Sequence, residues 1–261
     1  MLKGKCALIT GSTQGLGYAM ADRLAAQGCN IVLNGFGKAE EIERQRRHLA
    51  DSHGVSVLHH GADLAEPGQI ADLMETARRT FGAIDILINN AVVRYFAALE
   101  EFRVEDWDHA LAVNLSAAFH TTRLALPDMR RRNFGRIVNM ASIYGTRATV
   151  NRVDYVTTKT ALIGFTRAVA LETASQNITC NALCPGTAPS PAIEERLAGV
   201  MAKQGLSRER AVETFMASRQ PSRRFVAMEA VAALAVFLCG PDAADITGAA
   251  RPIDGGWGAA Q

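Results

Sequence analysis

The chain has 261 residues, 48% of them hydrophobic and 21% charged, which is long enough to bury a core without disulfide or metal staples. Its 28 basic and 26 acidic residues nearly cancel to a net charge of +2, so there is no electrostatic case for nucleic acid as a partner. The first apolar run, Cys6 to Ile9, is too short for a signal peptide or a membrane span. Five cysteines (6, 29, 180, 184 and 239) lie mostly in apolar stretches, as expected of buried thiols in a reducing cytoplasm. Cys180 and Cys184 lack the further ligands of a zinc set, so no metal is expected.

In chain order, strands are predicted at Cys6–Thr10, Asn30–Asn34, Ser56–His60, Ile84–Asn89, Arg136–Ala141, Ile178–Cys184 and, weakly, Ala249–Ile253. Between them the periodicity predicts helices at Leu16–Gln27, Ala39–His53, Gly68–Phe81, Trp107–Arg132, Tyr155–Gln176 and Met228–Leu238. Strands alternating with helices imply an α/β fold, one doubly wound parallel sheet of about seven strands with helices on both faces. No internal repeat or linker interrupts residues 1–261, so a single domain is expected. After the sixth strand, a broken loop from Thr187 leads into two short helical pieces, around 193–203 and 208–219. An excursion of that length, about 187–219, suits a lid over a substrate.

The chemistry-bearing residues fall at strand ends. Thr10-Gly11-Ser12-Thr13-Gln14-Gly15-Leu16-Gly17 joins the first strand to the first helix. Glycines there let backbone approach a pyrophosphate, and the helix N-terminus supplies N–H donors. The spacing is G-x-x-x-G-x-G, and by itself it is equally a packing turn. Asp63 follows the third strand, where it can meet an adenine amino group. Asn89-Asn90-Ala91 closes the fourth strand and Ser142 follows the fifth. Tyr155-x-x-x-Lys159 opens a helix, and Pro185-Gly186 closes the sixth strand. All belong to the ligand side of such a sheet.

In that order and spacing, together with Asp254-Gly255-Gly256, these segments resemble the short-chain dehydrogenase/reductase family from end to end. Leu2-Lys3-Gly4-Lys5, the run Ile31 to Gly37, Ala170-Leu171-Glu172-Thr173-Ala174 and Asp254-Gly255-Gly256-Trp257 look like the bacterial 3-hydroxybutyrate dehydrogenases within it. The resemblance implies a Rossmann-like fold and a secondary alcohol or ketone as substrate. The implied cofactor is a nicotinamide dinucleotide bound by Gly11, Thr13, Gln14, Gly15, Leu16 and Gly17, and further along by Phe36, Asp63, Leu64, Asn90 and Ala91. Tyr155, Lys159, Pro185, Gly186, Thr187 and Ser190 complete that set. Leu33-Asn34-Gly35-Phe36 holds no arginine for a 2′-phosphate, but the missing acidic selector and nearby Lys38 leave NADP open; the resemblance to the hydroxybutyrate subgroup makes NAD the expected form.

Lys159 stands one helical turn from Tyr155, so its charge would favour the phenolate and make Tyr155 an acid/base near neutrality. The resemblance assigns Lys159 a second task on the nicotinamide ribose. It makes Ser142 the partner of the reacting oxygen and Asn114 the anchor of a water relay to Lys159. It also implies a homotetramer, which long helices at 107–132 and 155–176 would suit.

At the substrate the sequence departs from the hydroxybutyrate pattern. The glycine after Asn-Asn-Ala is Val92, which resists positive φ. Where the subgroup has Gln, His, Lys, Trp and Gln, this chain has Arg94, Tyr144, Arg152, Thr187 and Arg196, while Trp257 is retained. Arginine holds an oxyanion bidentately, and Thr187 opens space. A small anionic hydroxy acid, 3-hydroxybutyrate-like or bulkier, is therefore the expected substrate, touching Arg94, Ser142, Tyr144, Arg152, Tyr155, Arg196 and Trp257. Solvent-facing side chains on mobile loops are the other reading of Arg94 and Arg196. A sugar, sugar acid or sulfonated sugar is a second substrate class, and a nucleotide-sensing protein without turnover a third reading.

Overall fold

A computed structural model describes residues 2–260. Seven strands, β1 (Cys6–Ile9), β2 (Asn30–Asn34), β3 (Val57–His60), β4 (Ile86–Asn89), β5 (Gly135–Met140), β6 (Ile178–Pro185) and β7 (Ala250–Ile253), form one sheet in the order β3-β2-β1-β4-β5-β6-β7. Every pairing is parallel. The helices are α1 (Gly15–Ala25), α2 (Ala39–His53), α3 (Pro67–Phe81), α4 (Val104–Leu111), α5 (Ala117–Arg132), α6 (Val153–Thr173), α7 (Pro191–Gln204), α8 (Arg208–Met216) and α9 (Met228–Cys239).

Strands buried on both faces feed two cores. Ala7 and Ile9 of β1 and Ile86 and Ile88 of β4 pack with Met20, Leu24, Val231 and Ala235 of α1 and α9. Cys6, Leu8 and Leu87 point the other way, to Ile70, Leu73, Met129 and Val169 of α3, α5 and α6. Because β1 lies between β2 and β4, the chain reverses its winding there, and a crevice opens at the carboxyl ends of β1 and β4.

The expected helix over 107–132 is broken. α4 ends at Leu111, a π-helical turn covers Ala112–Ser116, and α5 starts at Ala117. Periodicity does not register a single widened turn, since the apolar spacing is nearly kept. The excursion after β6 is helical, as expected, and carries a small core of its own from Leu197, Ala211, Val212 and Met216. Buried Gln220 ties its end to its beginning, accepting from Thr187 N through Oε1 and donating to Arg224 O at 2.7 Å.

The crevice depends on close backbone approach at the glycine turn. Gly15 takes φ +56° at the start of α1, a left-handed conformation that disfavours side chains. A Cβ on Gly17 would meet Gly11 O, with Asn90 Nδ2 at 2.7 Å and Ser12 Cα at 2.8 Å. Gly17→Ala is therefore expected to lower unfolding free energy by about 1–3 kcal/mol, the usual cost of overpacking. Urea denaturation checks this, and a midpoint equal to wild type would refute the packing argument.

Candidate active site

Asn90 braces the glycine turn. Its Nδ2 donates to Thr10 O and Gly11 O, both at 2.9 Å, and its N–H donates to Thr10 Oγ1 at 2.9 Å. Thr13 Oγ1 donates to Phe36 O at 2.9 Å, which fixes the end of β2 beside α1. No side chain caps the first turn of α1, and a Cβ on Gly15 would meet nothing within 4 Å, so the N-terminus opens onto the crevice. Those free donors, with the positive helix end, fit the pyrophosphate of a dinucleotide. Asp63 Oδ1 accepts from Ala65 N at 2.9 Å, while Leu64 is buried. Phe36 stands exposed at the rim, and Asn34 is buried, its amide donating to His60 O and Ala62 O.

On the other side of β1, β5 ends at Met140 and Ser142 follows, buried, its Oγ accepting from Tyr144 N at 3.2 Å. α6 places Tyr155 and Lys159 in its first two turns, both buried against this strand end. Lys159 Nζ donates to Met140 O at 2.6 Å and lies 5.6 Å from the Tyr155 ring centroid. Burial by itself would raise the Tyr155 phenol. The charges of Lys159 and Arg94, with polar contacts from Ser142 and Arg94, bring it below the ordinary tyrosine value instead. Burial pulls Lys159 down to about 8, against the attraction of Tyr155.

The π-helical turn presents Asn114 to the loop after β4. Its Oδ1 accepts from Val93 N at 2.8 Å, and its Nδ2 donates to Val93 O at 3.0 Å and Thr158 Oγ1 at 3.4 Å. Val92 is absent from the residues with positive φ, so this loop accommodates a β-branched residue without backbone strain. Beyond Val93 the loop alternates. Tyr95 turns inward, its hydroxyl 2.6 Å from His109 Nδ1, and its N–H donates to Asp154 Oδ2 at 3.3 Å. Arg94 and Phe96 are exposed.

The substrate candidates meet around Tyr155. Arg94 Cζ lies 5.4 Å and Arg152 Cζ 4.4 Å from its ring centroid. Tyr144 packs edge-on against Tyr155, centroids 6.3 Å apart, and against Trp257 at 5.4 Å. Arg196, on α7, joins only through Phe96, 5.3 Å from that ring. Pro185 and Gly186 end β6, Thr187 O accepts from Val226 N at 2.9 Å, and Ser190 precedes α7.

Sequence reasoning missed Phe96, Asp154 and Gln220. Phe96 had one available signal, its place two residues after Arg94 in an extended loop. Elsewhere, His59 Nε2 contacts Gly35 O at 3.0 Å, His60 pairs with Asp72, and Arg46 and Arg47 pair with Glu43. All five thiols are free and buried, burial pushing Cys184 up to about 11. Among the described residues no group of His, Cys, Asp or Glu is arranged to hold a metal, and no helix is long and apolar enough to cross a membrane.

Strand-end glycines, an uncapped helix N-terminus and a buried tyrosine–lysine pair define a nicotinamide-dependent oxidoreductase. A family profile described as enoyl-(acyl carrier protein) reductase matches residues 11–258. The D-beta-hydroxybutyrate dehydrogenase of Cupriavidus necator is 44% identical over 98% of this chain and 99% of its own. That of Rhizobium meliloti is 44% identical over 97% and 98%. Among solved structures, L-sorbose reductase from Gluconobacter frateurii, complexed with NADPH and L-sorbose, has a TM-score of 0.93 at 31% identity, over 99% of this chain and 98% of that one. The chain belongs to the short-chain dehydrogenase/reductase family and is an NAD(P)-dependent dehydrogenase/reductase.

Of the four tyrosines, Tyr18 and Tyr95 are raised, both chiefly by burial, whereas Tyr155 is lowered. In an ultraviolet titration the earliest phenolate should therefore be Tyr155. That part of the curve should vanish in Tyr155→Phe and move to higher pH in Lys159→Met. An early phase that survives Tyr155→Phe would show that another phenol titrates first, and one that stays in place in Lys159→Met would show that the lysine does not act on Tyr155.

Proposed function

We propose that the protein interconverts a small anionic secondary alcohol and its ketone, with NAD as the preferred dinucleotide. The observation that carries this reading is the buried Tyr155, lowered by Lys159 and Arg94, under two guanidinium groups. When bound, the dinucleotide accepts or supplies the hydride.

The chain's residues do the rest. Tyr155 Oη, as phenolate, takes the hydroxyl proton during oxidation and returns it during reduction. Ser142 orients the substrate oxygen toward it. Lys159, held by Met140 O, stabilises the phenolate and would also bind the nicotinamide ribose hydroxyls. Asn114 fixes the loop bearing Arg94 and links to α6 through Thr158, where a water relay to Lys159 would start. Arg94 and Arg152 bind the anionic group of the substrate, between Tyr144 and Trp257 on one side and the Phe96 loop on the other. The helical pair at 187–219 serves as lid to a single domain over residues 1–261.

Both D-beta-hydroxybutyrate dehydrogenase relatives support a hydroxy acid, and the sorbose reductase shows that a closely similar fold accepts a neutral sugar. For NAD, the support is local. A cavity of about 690 Å³ beside Phe36 is lined by one arginine, Arg46, and Glu43 already engages it at 2.7 and 2.9 Å. Exposed Phe119 on α5 and Leu171 on α6 supply apolar surface for a homotetramer, and five free thiols suit the cytoplasm.

Two outcomes test this. Tyr155→Phe should lower kcat/KM at least 100-fold while retaining dinucleotide binding by calorimetry, since an acid/base group contributes ~10²–10⁴-fold. More than a tenth of wild-type activity would refute the assignment. Wild-type kcat/KM should favour NAD over NADP by at least about tenfold, the equivalent of one 1.4 kcal/mol step; equal efficiencies would overturn the cofactor assignment.

A further inference from the structure

An anionic substrate bound beside Tyr155 accounts for two guanidinium groups, and the cleft holds three. Arg152 is shared between two places. It lies 4.4 Å from the Tyr155 ring centroid and 4.3 Å from that of Phe96, while Arg94 approaches Tyr155 alone and Arg196 approaches Phe96. The cations thus form one pair at the Tyr155 ring and a second pair at the Phe96 ring.

Their charge is poorly compensated from within. Among the described residues none of the three takes part in a salt bridge. The Nε of Arg152 is buried without a hydrogen-bond partner. One acid lies near: Asp154 is fully buried, its Oδ2 accepting from Tyr95 N and its Oδ1 without a partner. It attracts Arg152, and Arg94 repels it. On α7, Glu194 is committed to Arg208 at 2.7 Å, and Glu195 is exposed. Asp154 and the Tyr155 phenol thus face Arg152, while Arg94 and Arg196 are exposed and have no carboxylate partner among the described residues, so both remain open to an anionic ligand.

Phe96 is the side chain that Arg152 and Arg196 share. Phe96 is 56% exposed, yet its ring is approached by one guanidinium from the residue just before α6 and another from α7, so it helps to place the second pair and offers apolar surface beside it.

We propose that the substrate is a dianion: a hydroxy or keto acid with a second anionic group, carboxylate or sulfonate, held by Arg152 and Arg196 beside Phe96. This rests on the anionic reading above and adds a second subsite to it. The reaction is unchanged, since the second group takes no part in bond making.

The test compares 3-hydroxyglutarate with 3-hydroxybutyrate, which share the alcohol and first carboxylate and differ in the second. Wild type should show kcat/KM at least tenfold higher for 3-hydroxyglutarate. Arg196→Met, at an exposed position on α7, should erase that preference by lowering the dianion's value at least tenfold more than that of 3-hydroxybutyrate, with the NAD KM unmoved. Thermal protection of the NADH complex by glutarate, 4-sulfobutanoate and butyrate gives the same comparison without turnover, and the first two separate carboxylate from sulfonate. Butyrate protecting as well as either dianion, 3-hydroxybutyrate turned over as well as 3-hydroxyglutarate, or Arg196→Met lowering both alcohols equally would overturn the second subsite and leave the anionic reading standing. A neutral polyol surpassing both acids would remove both.

Discussion

An ammonium group with almost no contact with water needs fixed partners, because burying an unpaired charge costs several kcal/mol. Lys159 is 2% exposed, and it meets that requirement with a carbonyl at the end of β5 and the phenol one turn before it on α6. The position of nearly everything else in the site follows from this. β5 must end where Met140 O faces α6. Ser142 must come two residues later, and Thr158, beside the lysine, must hold the Asn114 clamp. The same burial that makes the lysine a weaker acid-binder of protons, at about 8, makes its field at Tyr155 strong, since little water lies between them.

The catalytic and recognition halves rest on different kinds of support. Ser142, Tyr155 and Lys159 stand on a strand end and a long helix packed into the main cores. Arg94 and Phe96 stand on a loop, and Arg196 on the α7–α8 pair, which packs around its own few apolar side chains. Rigid elements preserve proton geometry, while loops let the recognised molecule change. The loop is nevertheless not slack: Asn114 holds it at Val93 and Asp154 at Tyr95, which leaves the two intervening and following side chains free for the ligand.

Much of this was legible from the chain alone, for physical reasons. Doubly buried strands announce themselves as short apolar runs, and a strand-end glycine cluster or a Tyr-x-x-x-Lys pair is local enough to read. All seven strands fall within two residues of their expected bounds. The π-helical turn escaped because one extra residue barely disturbs amphipathic spacing. Asp154 escaped because its meaning lies in a partner, Tyr95, fifty-nine positions away. Gln220 likewise gains its role only when Thr187 folds back upon it. The worry over Val92 arose from carrying a glycine's conformation to a position whose backbone here has no such need.

The strand order has a consequence for how the chain reaches this state. β1 pairs with β4, Ala7 opposite Ile86, so the first strand made during synthesis cannot gain its second neighbour until the fourth has emerged. Until then one edge of β1 presents unpaired backbone groups and the half-sheet β3-β2-β1 is an open template for other chains. Such non-local parallel pairing is slow to form, because loop closure must precede the contacts that reward it. The crevice at the switch point is thus also the seam at which the two halves of the nascent sheet meet, and the period before that seam closes is when aggregation competes with folding.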